Sequence, residues 1–180
     1  SLVFVGSEMC IRDRFHTNIL WSIHIIHHSP IEVDWTTSYR FHPLNLALGP
    51  WLVTTLLLFL GISPKNIFWV AYIESVMSYF VHANLNITLG PLKYIFATPV
   101  FHRWHHTFTT EGGASNYGAV LACWDVLFGT FYFPVGQVPQ RYGIENDPLN
   151  KNIFKQLFHP FIIFGKVLSR ARDRVHLDIF

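Results

Sequence analysis

Charge is the first thing this 180-residue sequence lacks: Asp, Glu, Lys and Arg make up 13% of it, about half their share in an average globular chain. Hydrophobic residues supply 51% and aromatics 17%, so the missing charge points to contact with lipid. The net charge of +2 is too small, and the basic residues too dispersed, for electrostatic binding of nucleic acid. Two cysteines provide neither a disulfide framework nor a zinc knuckle. No flavin, haem or iron–sulfur motif is present, and the glycine-rich run from Glu111 to Gly118 lacks the strand context of a phosphate-binding loop. Any metal chemistry therefore falls to histidine.

Histidine is abundant, with 11 in the chain. His24-x-x-His27-His28 and His102-x-x-His105-His106 are two copies of the pattern HxxHH. On a helix, positions i, i+3 and i+4 share one face within an arc of roughly 100°, so each motif offers three imidazoles in one direction. Together with His82 and His16 they exceed the four ligands of one tetrahedral zinc, and two metals are the economical reading. Neither motif contains Glu, which removes the carboxylate-bridged di-iron pattern of helical bundles. An all-histidine two-metal site remains.

Along the chain, residues 1–14 include Ser7-Glu8-Met9-Cys10-Ile11-Arg12-Asp13-Arg14, which resembles the in-frame translation of a transposase-type sequencing adapter, and they are set apart from the fold. Residues 15–180 then read as a fragment of one domain. Phe15 to His28 is expected to be helical, stopped by Ser29-Pro30, and Ile31 to Pro43 to be a cap or loop beside it. From Phe41 through Pro64 there is no Asp, Glu, Lys or Arg, and an apolar run of about 20 residues matches the roughly 30 Å hydrocarbon core of a bilayer. A tight turn at Ser63-Pro64-Lys65-Asn66 leads into a second apolar stretch from Ile67 to about Phe80. Glu74 inside it must face protein or water. The expected fold is all-α, with a membrane-crossing helical hairpin at 41–84, a histidine-rich cap at 85–149 and an interfacial tail at 150–180. In that tail Lys155, Lys166, Arg170, Arg172 and Arg174 flank apolar residues, a pattern suited to anionic headgroups. Because a hairpin begins and ends on one membrane face, both HxxHH motifs and His82 reach the same side.

These residues resemble the sterol desaturase and fatty acid hydroxylase superfamily. The resemblance runs over about residues 16–149 and is carried by His24-x-x-His27-His28-Ser29, Thr36-Thr37-x-x-Arg40-Phe41-His42-Pro43, His82-x-Asn84, His102-Arg103-Trp104-His105-His106 and Asn116-Tyr117-Gly118 through Trp124-Asp125-x-Leu127-Phe128-Gly129-Thr130. It implies an oxidoreductase: a multi-pass protein of a bacterial inner membrane or the endoplasmic reticulum, with its histidine cap in the cytoplasm. Two non-haem irons would use dioxygen to hydroxylate or desaturate a lipid. Implied iron ligands are His24, His27, His28, His102, His105 and His106, with His82 matching a further box and His16 standing for the second histidine of an upstream HxxxH. The first histidine of that box would fall in the adapter-like segment, which has none. Asn86 stands where some members have another histidine. His42, Asn84, Asn86 and Asp125 are candidates for orienting ligand rings. An external electron donor is implied, whether a b-type cytochrome, a ferredoxin or a reductase. The lipid stays open among sterols, fatty acyl chains, sphingoid bases and carotenoids. The competing readings are a non-catalytic metal-binding transporter or sensor, and a membrane zinc hydrolase, for which no H-E-x-x-H occurs.

Overall fold

The computed structural model describes His16, residues 20–149 and residues 152–177, with side chains of the last helix up to residue 169. The adapter-like segment, Phe15 and residues 17–19 lie outside the described residues. Among those described the fold is helical, without a β-strand beyond one isolated bridge between Phe96 and Leu121.

Helix α1 runs Trp21–His28. Phe15, where the helix is expected to start, lies outside the described residues; of those before Trp21 that are described, His16 and Leu20 lie in turns. Its end is as expected, with Ser29 capping and its hydroxyl donating to the Ile26 carbonyl at 2.9 Å. Every residue from Ser22 to His28 is buried, so this helix is core on all sides. A 3-10 turn, Trp35–Tyr39, follows, closed by a capping box in which Asp34 accepts from the Thr36 amide and Thr37 accepts from the Asp34 amide. Reciprocal side-chain bonds of this kind satisfy backbone donors that a helix start leaves open.

Helices α2 (Pro43–Phe59) and α3 (Pro64–His82) occupy the two arms expected of the hairpin. Both open with a capping side chain and Pro at N1, where the missing N–H costs no hydrogen bond. The turn, however, is Leu60–Ser63, because Ser63 caps α3 and Pro64 already belongs to it. Gly61 adopts φ +78° there, a conformation that favours glycine. Both helices leave large apolar side chains exposed, among them Trp51, Leu52, Leu56 and Phe59 on α2 and Phe68, Trp69, Tyr72 and Ile73 on α3. Even so, among the described residues no helix is long and apolar enough to cross a membrane. The 17 residues of α2 extend about 26 Å, short of a roughly 30 Å hydrocarbon core, and α3 carries Lys65 and Glu74.

The chain then passes a second 3-10 turn, Gly90–Tyr94, and enters α4 (Pro99–His105), capped by the Thr98 hydroxyl. All seven residues of α4 are buried. A π-type turn at Thr109–Gly113, the short helix α5 (Cys123–Phe128) and the long helix α6 (Ile153–Leu177) complete the fold. One small apolar core joins Val81, Ala97, Phe101 and Ala122, and another joins Ile25, Ile26 and Leu149. Between these cores α1, the end of α3 and α4 meet, and there the histidines collect.

Candidate metal centre

Eight histidines assemble into two groups of four: His16, His24, His28 and His105 in one, His27, His82, His102 and His106 in the other. Within each group the potential ligand nitrogens lie within 4.8 Å of one another. All eight of the histidines singled out in the sequence are therefore brought together. The way they divide differs from the expectation that each motif points one way. His24 and His28 go to one group and His27 to the other; His102 and His106 go to one and His105 to the other. Helix geometry gives the reason. At 100° per residue, i+4 stands about 40° from i on one side and i+3 about 60° on the other. Each motif thus splits two and one, and the two motifs interlock. His106 is itself the residue capping the C-terminus of α4, so the second motif ends where its helix does.

The second group is closely drawn. Nε2 of His82 lies 3.2 Å from Nε2 of His27 and 3.0 Å from Nε2 of His102, which is 3.2 Å from Nε2 of His106. With metal–nitrogen bonds of about 2.1 Å, ligands at right angles stand about 3.0 Å apart and tetrahedral ones about 3.4 Å. The observed spacing fits donors aimed at one shared ion.

Ring orientation is set from behind. His82 Nδ1 donates to the Ser78 carbonyl at 2.7 Å and His105 Nδ1 to the Ser115 carbonyl at 2.7 Å. A carbonyl only accepts, so in each neutral ring the proton sits on Nδ1 and the Nε2 lone pair faces its group. His24 Nδ1 pairs with Asn45 Oδ1 at 3.1 Å in the same sense. Phe41 lies flat on His27, with centroids 4.1 Å apart and planes 14° from parallel. Nε2 of His28 is buried with no hydrogen-bond partner. Burial, followed by the neighbouring rings of His106, His105, His16 and His24, holds His28 well below the ordinary imidazole pKa, keeping it neutral and able to ligate. A buried lone-pair donor without a partner, in a set of eight imidazoles and no carboxylate, fits a transition metal such as iron, zinc or copper.

The residues named as ring-orienting candidates sit elsewhere in the network. Asn84 and Asn86 accept from the buried guanidinium of Arg103 at 2.8 and 2.6 Å, and the Leu85 carbonyl accepts from it at 3.0 Å. Arg103 thereby ties the segment after His82 to the helix that carries His102 and His105. Asp125 accepts from the amides of Tyr117 and Gly118, both at 2.7 Å, and from the Thr130 hydroxyl at 2.6 Å. That holds the loop whose Ser115 carbonyl orients His105. A side chain at Gly118 would meet Asp125 Oδ2 at 2.8 Å and the Leu121 carbonyl at 2.5 Å, so glycine is required for this approach. His42 caps α2 by accepting from the Leu44 amide, and its Nε2 donates to the Leu157 carbonyl, joining α2 to α6. His159 lies on α6 and belongs to neither group.

Sequence comparison places the chain among known proteins. Residues 12–130 match the family model described as fatty acid hydroxylase. The chain is similar to ornithine lipid hydroxylase OlsE of Rhizobium tropici, 33% identical over 147 residues that make up 82% of this chain and 44% of that protein. It is also similar to alkylglycerol monooxygenase of Caenorhabditis elegans, 32% identical over 82% of this chain and 28% of that protein. The human alkylglycerol monooxygenase is 31% identical over 85% of this chain and 34% of its own length. The chain thus spans less than half the length of these relatives. No solved structure matches it.

Proposed function

The chain belongs to the fatty acid hydroxylase family, and on that premise we propose that it forms the metal-binding part of a lipid hydroxylase. His16, His24, His28 and His105 would hold one iron and His27, His82, His102 and His106 a second. The observation that carries this reading is the division of eight histidines into two compact groups of four. When bound, the iron pair would supply activation of dioxygen for oxidation of an unactivated C–H bond.

The protein's own residues have definable tasks in that scheme. The Ser78 and Ser115 carbonyls fix which nitrogen of His82 and His105 carries the proton, so the other is a ligand without rearrangement. Phe41 walls His27 with an apolar face, which excludes water from that side. Arg103 and Asp125 hold the two loops that frame the site. Insertion of one oxygen atom from dioxygen needs two electrons and two protons from elsewhere, and the chain has no redox motif of its own. A separate donor, a b-type cytochrome, a ferredoxin or a reductase, would supply the electrons.

The relatives named above act, by their names, on an ornithine lipid and on alkylglycerols. Both names support hydroxylation over desaturation, and a chain-bearing polar lipid over a sterol. The exposed apolar faces of α2 and α3 support immersion of this hairpin in a bilayer, with the histidine groups at its face and α6 along the interface. Metal analysis of the purified protein, coupled to a dioxygen-dependent lipid oxidation assay, tests the proposal. About two irons per chain, and oxidation abolished by His105→Ala, are expected; one zinc and no iron would overturn it.

A further inference from the structure

A cavity of about 730 Å³ opens beside the metal centre, lined by Ile26, Tyr39, Arg40, Phe41 and Ile153 with Glu32 and Asp147 among its polar residues. Its volume falls in the roughly 300–1,000 Å³ range of small-molecule sites. We propose that it holds the headgroup of a zwitterionic lipid, with Arg40 receiving the anionic end and Glu32 and Asp147 the cationic end. The ligand's being a lipid rests on the hydroxylase reading; its charge pattern rests on the cavity.

Three observations carry this. First, cation and carboxylates line one cavity, yet no ion pair joins Arg40 to Glu32 or Asp147. Arg40 instead donates to the Ile26 carbonyl at 3.3 Å and the Ser29 hydroxyl at 3.2 Å. Those neutral acceptors position the guanidinium without cancelling its charge, and a guanidinium so held can still take a carboxylate or phosphate. Second, the cavity adjoins the site through one ring. Phe41 belongs to its lining and lies flat on His27, so a headgroup here keeps the start of its chain close to the histidine groups. Third, the cavity sits at the level where the hairpin begins, since Phe41 and His42 lead directly into α2. With the hairpin immersed as proposed, a lipid headgroup would lie at that depth, and Ile153 extends the apolar lining towards α6.

Equilibrium dialysis of the full chain in maltoside micelles tests this with three labelled probes that share one chain: N-dodecanoyl ornithine, dodecanoate and 1-O-dodecyl glycerol. Partition of each probe into protein-free micelles is measured alongside and subtracted, because the headgroups differ in charge although the chain is shared. The zwitterion should bind about ten- to a hundredfold more tightly than the glycerol ether, the range expected for hydrogen bonds to charged groups. Arg40→Gln should remove the preference for dodecanoate over the ether, and Arg40→Lys should retain most of it. Glu32→Gln with Asp147→Asn should remove the advantage of the zwitterion over dodecanoate. Equal binding of all three probes, or an Arg40→Lys variant that behaves like Arg40→Gln, would overturn the proposal. Iron content is read on the same samples: two irons without charge preference defeats this inference alone, and charge preference without iron defeats the hydroxylase reading alone.

Discussion

The rings of His28 and His106 stack, centroids 4.5 Å apart and planes 20° from parallel, although each belongs to a different group of four. The two candidate sites therefore share a wall while keeping separate donor sets. Removing a donor from one group should leave the other intact. His24→Ala and His102→Ala are each expected to bring iron from about two per chain to about one, measured by metal analysis after purification. Loss of both irons in either variant would mean that the stack transmits the damage.

Arg103 is buried and donates to three neutral acceptors on the segment that follows His82, which makes it the clasp between His82 and α4. Arg103→Met would leave two amide oxygens and a carbonyl without their donor. At about 1–3 kcal/mol for each group stranded by loss of a partner, the expected destabilisation is at least roughly 3 kcal/mol, seen as a lower denaturant midpoint. Arg103→Lys restores the charge but not the planar fork, so it should recover only part. Iron affinity should fall about 10- to 100-fold in both, the range known for supporting partners of metal ligands. Unchanged affinity in a destabilised protein would confine Arg103 to folding.

Acid should weaken the metal-free protein through His28. In the unfolded chain this ring takes a proton as the pH falls through about 6.5; in the folded chain burial and the surrounding rings hold its pKa well lower. Below about 6.5 the unfolded state binds more protons, so stability falls with pH, by up to about 1.4 kcal/mol per unit for one group. Urea midpoints of the metal-free protein at pH 7.5, 6.5 and 5.5 should decline over the last interval. The decline should be smaller in His28→Asn, and an equal decline would assign it to other groups.

Much of this arrangement is legible in the sequence because it depends on local chemistry. Ser29-Pro30, Ser63-Pro64 and Thr98-Pro99 mark helix ends that a cap and a proline dictate, and the two HxxHH motifs announce a shared centre. The two-and-one split was also available, from the roughly 100° between i+3 and i+4, but reading the arc as one direction conceals it. What no sequence pattern carries is the support. Ser78 and Ser115 act through backbone carbonyls that any residue would provide. Asn45 and Arg103 acquire their roles only when α2 meets α1 and when the segment after α3 meets α4. Length is the other difference: the uncharged stretch from Phe41 to Pro64 is longer than the helix it forms, since His42 and Ser63 act as caps and Leu60–Ser63 turns the chain.

Those caps bear on the last prediction, which concerns where α2 resides. Leu52 and Leu56 are 49% and 45% exposed, on a helix with no charged residue. If lipid covers this face, an arginine there meets hydrocarbon, at a cost of about 2.5–3.5 kcal/mol near the centre of a span. Leu52→Arg is near Pro50, so Leu56→Arg is the cleaner probe, with Leu56→Ala as a control for lost packing. Leu56→Arg should shift protein from the carbonate-resistant membrane fraction to the supernatant or to aggregates, whereas Leu56→Ala should stay with the membrane. Equal retention of both variants would show that this face of α2 is not immersed in the bilayer.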